Sequence, residues 1–252
     1  MCLLAWPAWA ADLKPETEGA FDAYVRKTEA RLEGQRLPGR HFLWIEASPE
    51  RMRSVREGEI LIAPWTGDGQ VGIEHGLIHD WIGAIFVPGV TLENTIALLE
   101  DYDHHERYYK PEVFDSKILS HDGHRFRVHM RLLKKKVLTV VLNTEHDIEY
   151  TRLDQRRWYS LSRSSRIAEV QDAGKPGESE LPVGQDHGFL WRLNTYWKFQ
   201  QAGNGVIIEC EAVSLTRGVP PGLAWLIDPI IRNLPRESLA NTLRDTRSAL
   251  LR

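Results

Sequence analysis

An α+β fold, with a run of roughly six antiparallel strands closed by a long C-terminal helix, follows from three features of the sequence. From Val113 onward the spacing of apolar residues shifts from the helical period of about 3.6 to the strand period of about 2. The turn Gly203, Asn204, Gly205 separates two alternating segments and is the strongest hairpin signal in the chain. Beyond it, Leu223, Ile227, Ile230, Leu234, Leu239, Leu243 and Leu250 recur at helical spacing. Successive hairpins require antiparallel neighbours, because parallel strands need crossovers of about a dozen residues or more. A sheet that is apolar on one face needs a cover, and the terminal amphipathic helix supplies it.

Taken in order, residues 16–33 predict a polar helix with a sparse apolar stripe of Phe21, Tyr24, Val25 and Leu32, ended by Pro38 and Gly39. Residues 42–45 and 59–62 read as short strands, and the turn at Gly67, Asp68 and Gly69 leads into a long strand over 77–87. Pro88 and Gly89 stop that strand. Thr91 is the expected N-cap of a helix that carries Leu92, Ile96 and Leu99 on one face and runs on through YDHHERYYK to Pro111. Phe126, Val128, Met130 and Leu132 then alternate with Arg125, Arg127, His129 and Arg131, the pattern of a half-buried strand. Residues 137–142 are mostly apolar and 144–151 polar, 158–167 read as another extended candidate, and 171–188 form a Gly-, Pro- and acid-rich loop. In the hairpin, Phe189, Trp191, Leu193, Thr195, Trp197 and Phe199 share a face. On the returning strand Val206, Ile208, Cys210, Ala212 and Ser214 do the same, with Glu209 and Glu211 turned away. Pro229 and Pro235 are expected to kink or segment the closing helix.

The charge balance, 32 Lys+Arg against 35 Asp+Glu for a net charge of −3, gives no electrostatic footprint for nucleic acid. No apolar run approaches the roughly 18 residues that a membrane-crossing helix needs. Two Cys leave no material for a disulfide scaffold or a Cys-based zinc site. Residues 1–10 (MCLLAWPAWA) join a short apolar patch to Ala8 and Ala10, the −3 and −1 positions of an A-x-A cleavage site, before the chain turns polar. The segment lacks a basic n-region, as a truncated signal segment does, and export to the periplasm or outside is the expectation. A cytoplasmic location follows if the segment is no signal. The organisation is then a signal segment over 1–10, an N-terminal helix and extended lead-in over 11–73, and the main domain over 74–252.

Candidate chemistry is thin. Asp101 and His105 stand at i, i+4 within a cluster with Asp103, His104 and Glu106, but the spacing matches no specific metal motif and a solvated helix end is the better expectation. His121 and His124 bracket Asp122 and Gly123 in what reads as a hairpin turn. No G-x-S-x-G is present, and Cys210 sits mid-strand on an apolar face, where a thiol is usually inert. Neither catalytic residues, nor a metal, nor a cofactor are expected. The run RLLKKK, 131–136, reads as a solvated loop, with transient contact to anionic headgroups as the alternative.

Three segments resemble the START-like (SRPBCC, helix-grip) superfamily of polyketide cyclases, coenzyme-Q-binding proteins and lipid-transfer domains. They are the strand ending in Phe86, Val87, Pro88, Gly89, the helix LENTIALLEDYDHHERYYK, and the closing block 206–250. The resemblance spans roughly residues 74–251 and lies in pattern and order rather than in a catalytic signature. It implies a seven-stranded antiparallel sheet gripping the C-terminal helix, with a hydrophobic cavity between them. The implied lining is Phe126, Val128, Met130, Trp191, Leu193, Trp197, Cys210 and Ala212, with Leu223, Trp225, Ile227 and Ile230 from the helix and Thr195 and Ser214 as polar members. The implied role is binding or carriage of a lipid or other hydrophobic small molecule. A cyclase or aromatase using the same cavity and a protein-binding domain are the alternatives, and a filled core is the bland reading of every lining residue.

Overall fold

The structure, a computed structural model, describes residues 11–135, 139–218 and 224–252, and side chains within these except at 224–232. The signal-segment expectation over 1–10 and the lining candidate Leu223 fall outside the described residues. The side chains of Trp225, Ile227 and Ile230 do too.

The N-terminal part holds β1 (Ala11–Asp12), α1 (Pro15–Gln35), a 3₁₀ turn at Trp44–Ala47, α2 (Pro49–Arg56), β2 (Leu61–Pro64), β3 (Gln70–Ile73) and β4 (Gly76–Pro88). Then come α3 (Leu92–Glu100), a 3₁₀ turn at Tyr102–His104, α4 (His105–Tyr108), β5 (Val113–Asp122), β6 (Arg125–Lys135), β7 (Thr139–Arg152) and β8 (Arg157–Gln171). The chain closes with β9 (Ser179–Glu180), β10 (Gln185–Asp186), β11 (Arg192–Gln201), β12 (Gly205–Arg217) and α5 (Ala224–Leu250). Ten strands form one sheet in the order β2-β4-β12-β11-β8-β7-β6-β5, with β3 on β4 and β9 on β8, while β1 pairs β10 separately. Every pairing in that sheet is antiparallel. This is the α+β, helix-grip arrangement, enlarged beyond seven strands by the lead-in strands β2 and β3 and by β9.

The elements with clean periodicity stand where the sequence places them, and Thr91 caps α3 by accepting from the Asn94 N–H at 3.2 Å. The turn of the β5–β6 hairpin is His121 to His124, with Gly123 at φ 55°. Several expectations need correction. Residues 42–45 form no strand: the Leu43 N–H donates to the Glu46 carboxylate at 2.9 Å and the Trp44 N–H to Glu209 at 2.7 Å, which leaves these donors unavailable for a ladder. The predicted helix through residue 110 ends at Glu100, because Asp101 leaves the helical region and its carboxylate takes hydrogen bonds from His104 and Tyr108 instead. Helix α5 runs continuously across Pro229 and Pro235, so each proline removes a backbone donor without segmenting the helix. Arg131, Lys134 and Lys135 lie in strand β6 rather than a loop. Arg131 pairs with Glu178 at 2.7 Å, and Lys134 ties Glu112 to Ser238 of α5; Lys136 lies outside the described residues.

Alternation in the central strands loads both faces of the sheet. On one face α5 and α3 press on β4, β12 and β11, joining Leu239 and Leu243 to Ile85, Val87, Ile208, Cys210, Phe199 and the α3 residues Leu92, Ile96 and Leu99. Close contact is possible because Gly83 stands there: a Cβ added to it would lie 2.7 Å from the Leu243 side chain and 2.4 Å from that of Ile62. On the opposite face the lead-in covers the sheet. Phe21, Val25 and Leu32 of α1 pack on Ile78, Tyr196, Val213 and Leu215, and Phe42, Leu43, Ile45 and Val55 pack on Ala84, Phe86 and Ile207.

Candidate functional site

The α5 face carries most of the residues expected to line a ligand site. Phe126, Val128, Met130, Trp197 and Cys210 join the cluster under α5, with Met130 and Trp197 only partly buried. Leu193 belongs instead to a second cluster on the same face, with Val140, Leu142, Ile167, Leu132 and Leu190. Ala212 and Thr195 lie between the two in register, opposite one another on β12 and β11, and both remain partly accessible. Trp191 is a correction. It precedes β11, its indole N–H donates to Asp186 at 3.0 Å, and this bend places the ring with Phe21 and Val25 on the α1 face. Phe189 is likewise outside the strand and 40% exposed.

A band of polar side chains separates the two apolar clusters, and the cross-strand register aligns it. His146 on β7 pairs with Ser164 on β8, Leu193 on β11 with Ser214 on β12, and Ser214 with His79 on β4. The Leu193 N–H donates to Ser164 Oγ at 2.9 Å, which closes the row between β8 and β11. One step along the strands, Ser162 faces Thr195. Most of these groups are bonded: Thr144 donates to the Met130 carbonyl at 3.1 Å, Thr195 accepts from the Trp197 indole at 3.2 Å, and His79 Nε2 meets Thr216 at 3.0 Å. Three are not. His146, Ser162 and Ser214 are 5%, 9% and 7% exposed and hydrogen-bond to no described residue. Burial with no opposing carboxylate pushes the His146 imidazole down to about 4, so it is neutral near pH 7.

The sequence reading missed His146 because it fell in a stretch, 144–151, read only as polar. Its signal was available: Thr144, His146, Ile148 and Tyr150 alternate in step with Phe126 and Val128 across the β6–β7 ladder. Cys210 is fully buried with its thiol pushed up by desolvation, the state of an inert packing residue. The His-rich stretch holds no ligand set. His105 is buried and bonds the Leu99 carbonyl at 3.1 Å, while Asp101 is bonded to His104 and Tyr108. Among the described residues, Glu16, Glu74 and His75 form the one group with metal-ligand spacing, and all three are fully solvent-facing.

The opposite face holds a site that alternation concealed. Glu209 and Glu211 do turn away from α5, but into the seam beneath α1 rather than into water, and are 1% and 2% exposed. Lys198, 5% exposed, stands 3.6 Å from Glu209 and donates to Gln35 of α1 at 2.6 Å. Arg31 of α1 pairs with Glu211 while its guanidinium lies 3.7 Å over the Trp65 ring. Tyr24 donates to Asp80 at 2.7 Å. Desolvation, reinforced by the neighbouring Glu211, pushes the Asp80 carboxyl up to about 8, so it holds its proton near neutral pH.

No protein-family model matches the chain, and no curated protein sequence matches it. Among solved structures it is similar to a STAR-related lipid transfer protein from Xanthomonas axonopodis, at 16% identity over 73% of this chain and 99% of that one with a TM-score of 0.46. It is also similar to human STARD10, at 11% identity over 81% of this chain and 80% of that one with a TM-score of 0.46. A third is the Zhui aromatase/cyclase from Streptomyces sp. R1128, at 11% identity over 69% of this chain and 94% of that one with a TM-score of 0.44.

Proposed function

We propose that the chain binds a lipid or other hydrophobic small molecule between the sheet and α5. The observation that carries this is the division of the α5 face. Among the described residues the apolar side chains of this face fall in two clusters, and Met130, Leu193, Thr195, Trp197 and Ala212 between and beside them keep accessible surface although they face inward. A filled core brings such side chains together, whereas small-molecule sites are apolar with a few placed polar groups. Each CH₂ of ligand taken from water here contributes about 0.8 kcal/mol. A cyclase-type reaction needs an acid–base pair on this face; among the described residues His146 has no carboxylate against it.

Native mass spectrometry of the purified protein, followed by organic extraction, tests the proposal. The expected result is an adduct of lipid or similar mass that extraction releases. Protein that is empty, and stays empty against a panel of lipids and aromatic polyketides, overturns it. Export is part of the same proposal, on the strength of the A-x-A pattern at Ala8 and Ala10. Expression in a bacterial host and N-terminal sequencing should find Ala11 first in the periplasmic fraction, and an intact N-terminus confined to the cytoplasm counts against it.

A further inference from the structure

We infer that His146 and Ser162 form a headgroup subsite that selects an uncharged ligand carrying a hydroxyl or carbonyl, against a carboxylate or phosphate of the same apolar bulk. This rests on the proposal above that the α5 face holds a hydrophobic ligand.

The two side chains come from adjacent strands, β7 and β8. Their register, His146 opposite Ser164 and Ile148 opposite Ser162, makes them diagonal neighbours on the α5 face, within about 7–8 Å. Both are at least nine-tenths buried and neither has a hydrogen bond from a described residue. Buried polar groups are ordinarily satisfied, and leaving one unmet costs about 1–3 kcal/mol. Neighbouring groups on this face are met within the sheet, as Thr144 is by the Met130 carbonyl and Tyr102 by Tyr150 at 2.7 Å. Single atoms of Asp80, Glu209, Glu211 and His79 are unbonded too, but those side chains each make another hydrogen bond, whereas His146 and Ser162 make none to a described residue. His146 and Ser162 fall in the polar band between two apolar clusters, where a bound molecule's polar atom would lie with its chain on either side.

The chemistry of the pair sets the class. A neutral imidazole offers one donor and one acceptor, and a serine hydroxyl offers both. An alcohol can donate to one and accept from the other, and a carbonyl can accept from both. An anion would need a cation. On this face the described cation is Lys134, already tied to Glu112 and Ser238 at the far end of β6. A carboxylate at His146 would therefore be a buried, uncompensated charge, with a penalty of several kcal/mol.

The test is displacement of Nile red, an uncharged apolar dye, by dodecanol, dodecane and dodecanoate at pH 7.5, with the wild type, His146→Phe and Ser162→Ala. Dodecanol is expected to displace the dye at a concentration at least about 10-fold below dodecanoate, a difference of about 1.4 kcal/mol. Dodecane displacement should be unchanged in both variants, while the dodecanol advantage over dodecane shrinks in each. Ser162→Ala removes one oxygen and guards against a His146→Phe variant that fails to fold. Equal or tighter displacement by dodecanoate, or an alcohol advantage intact in the folded variants, overturns the headgroup subsite alone. Failure of Nile red to bind the wild type overturns the cavity and the subsite together.

Discussion

Strands β4, β11 and β12 send alternate residues to two faces that solve burial differently. Beneath α1, four charged side chains of the sheet are buried to 5% exposure or less, and each is met by a group from the lead-in or the facing strand: Asp80 by Tyr24, Glu211 by Arg31, Glu209 by the Trp44 N–H and Lys198, Lys198 by Gln35. Beneath α5, among the described residues, most buried polar groups are uncharged, the apolar residues fall in two clusters, and His146, Ser162 and Ser214 have no hydrogen-bond partner, as is true of Trp81 Nε1 and His79 Nδ1. On the α1 face each charged side chain has a partner, although one atom each of Asp80, Glu209, Glu211 and Arg31 stays unbonded; on the α5 face those three side chains have none among the described residues.

The comparison breaks most readily on the α1 face. Lys198→Met leaves the buried Glu209 without the cation beside it, and equilibrium urea unfolding should show a loss of about 3–5 kcal/mol. The double variant Lys198→Met, Glu209→Gln should regain part of it. A loss no greater than that of an exposed lysine would mean that water reaches the seam. On the other face, Leu243→Ala removes the side chain that α5 lays over Gly83, and about 2–5 kcal/mol should follow in the same measurement.

Acidity separates the faces further. Asp80, flanked by Tyr24, Arg31 and Glu211, has a folded pKa raised to about 8. Its contribution is complete below the unfolded value of about 3.9 and is lost as pH rises through the folded one. His79, His105 and His146 are depressed to about 4, so their contribution is present above about 6.5 and is lost as pH falls toward the folded value. Melting temperature against pH should pass through a maximum near neutrality. Asp80→Asn should flatten the alkaline side and leave the acid side standing; an unchanged alkaline side would remove Asp80 from the account. The smallest effect belongs to the α5 face. His146→Phe in ligand-free protein should leave the melting temperature unchanged or slightly raised, since an unpartnered polar group is replaced by an apolar one of similar shape. A drop of several degrees would show that the imidazole is bonded after all.

What could be read from the sequence divides along the same line. The strand of Phe126 and Val128, the hairpin at Gly203 to Gly205 and the stripe of Leu239 and Leu243 all declare their period, and period is enough to assemble a sheet under a helix. The α1 seam was hidden because alternation assigns charged residues to water. Only the cross-strand match of Lys198 with Glu209, and of Tyr196 with Glu211, hinted at a second buried face. The 3₁₀ turn at Trp44 was hidden for a different reason: its backbone donors are met by Glu46 and Glu209, the second of them 165 positions away. Helix α2 went unread: Ser48 caps it at the Arg51 N–H and Pro49 stands in its first turn, but its short apolar content gave no stripe to follow.

Helix α1 also sets an order of events during synthesis. It is made before every strand of the large sheet that it packs on, and its ties reach Asp80 at a separation of 56 residues, Gln35 meets Lys198 at 163, and Arg31 meets Glu211 at 180. Phe21, Val25 and Leu32 must therefore wait uncovered until nearly the whole chain has been made. Contacts of such long range slow folding and leave apolar surface open to misassembly in the interval. The apolar stripe of α1 is thus exposed until the last hairpin, which carries Val213 and Leu215, is complete.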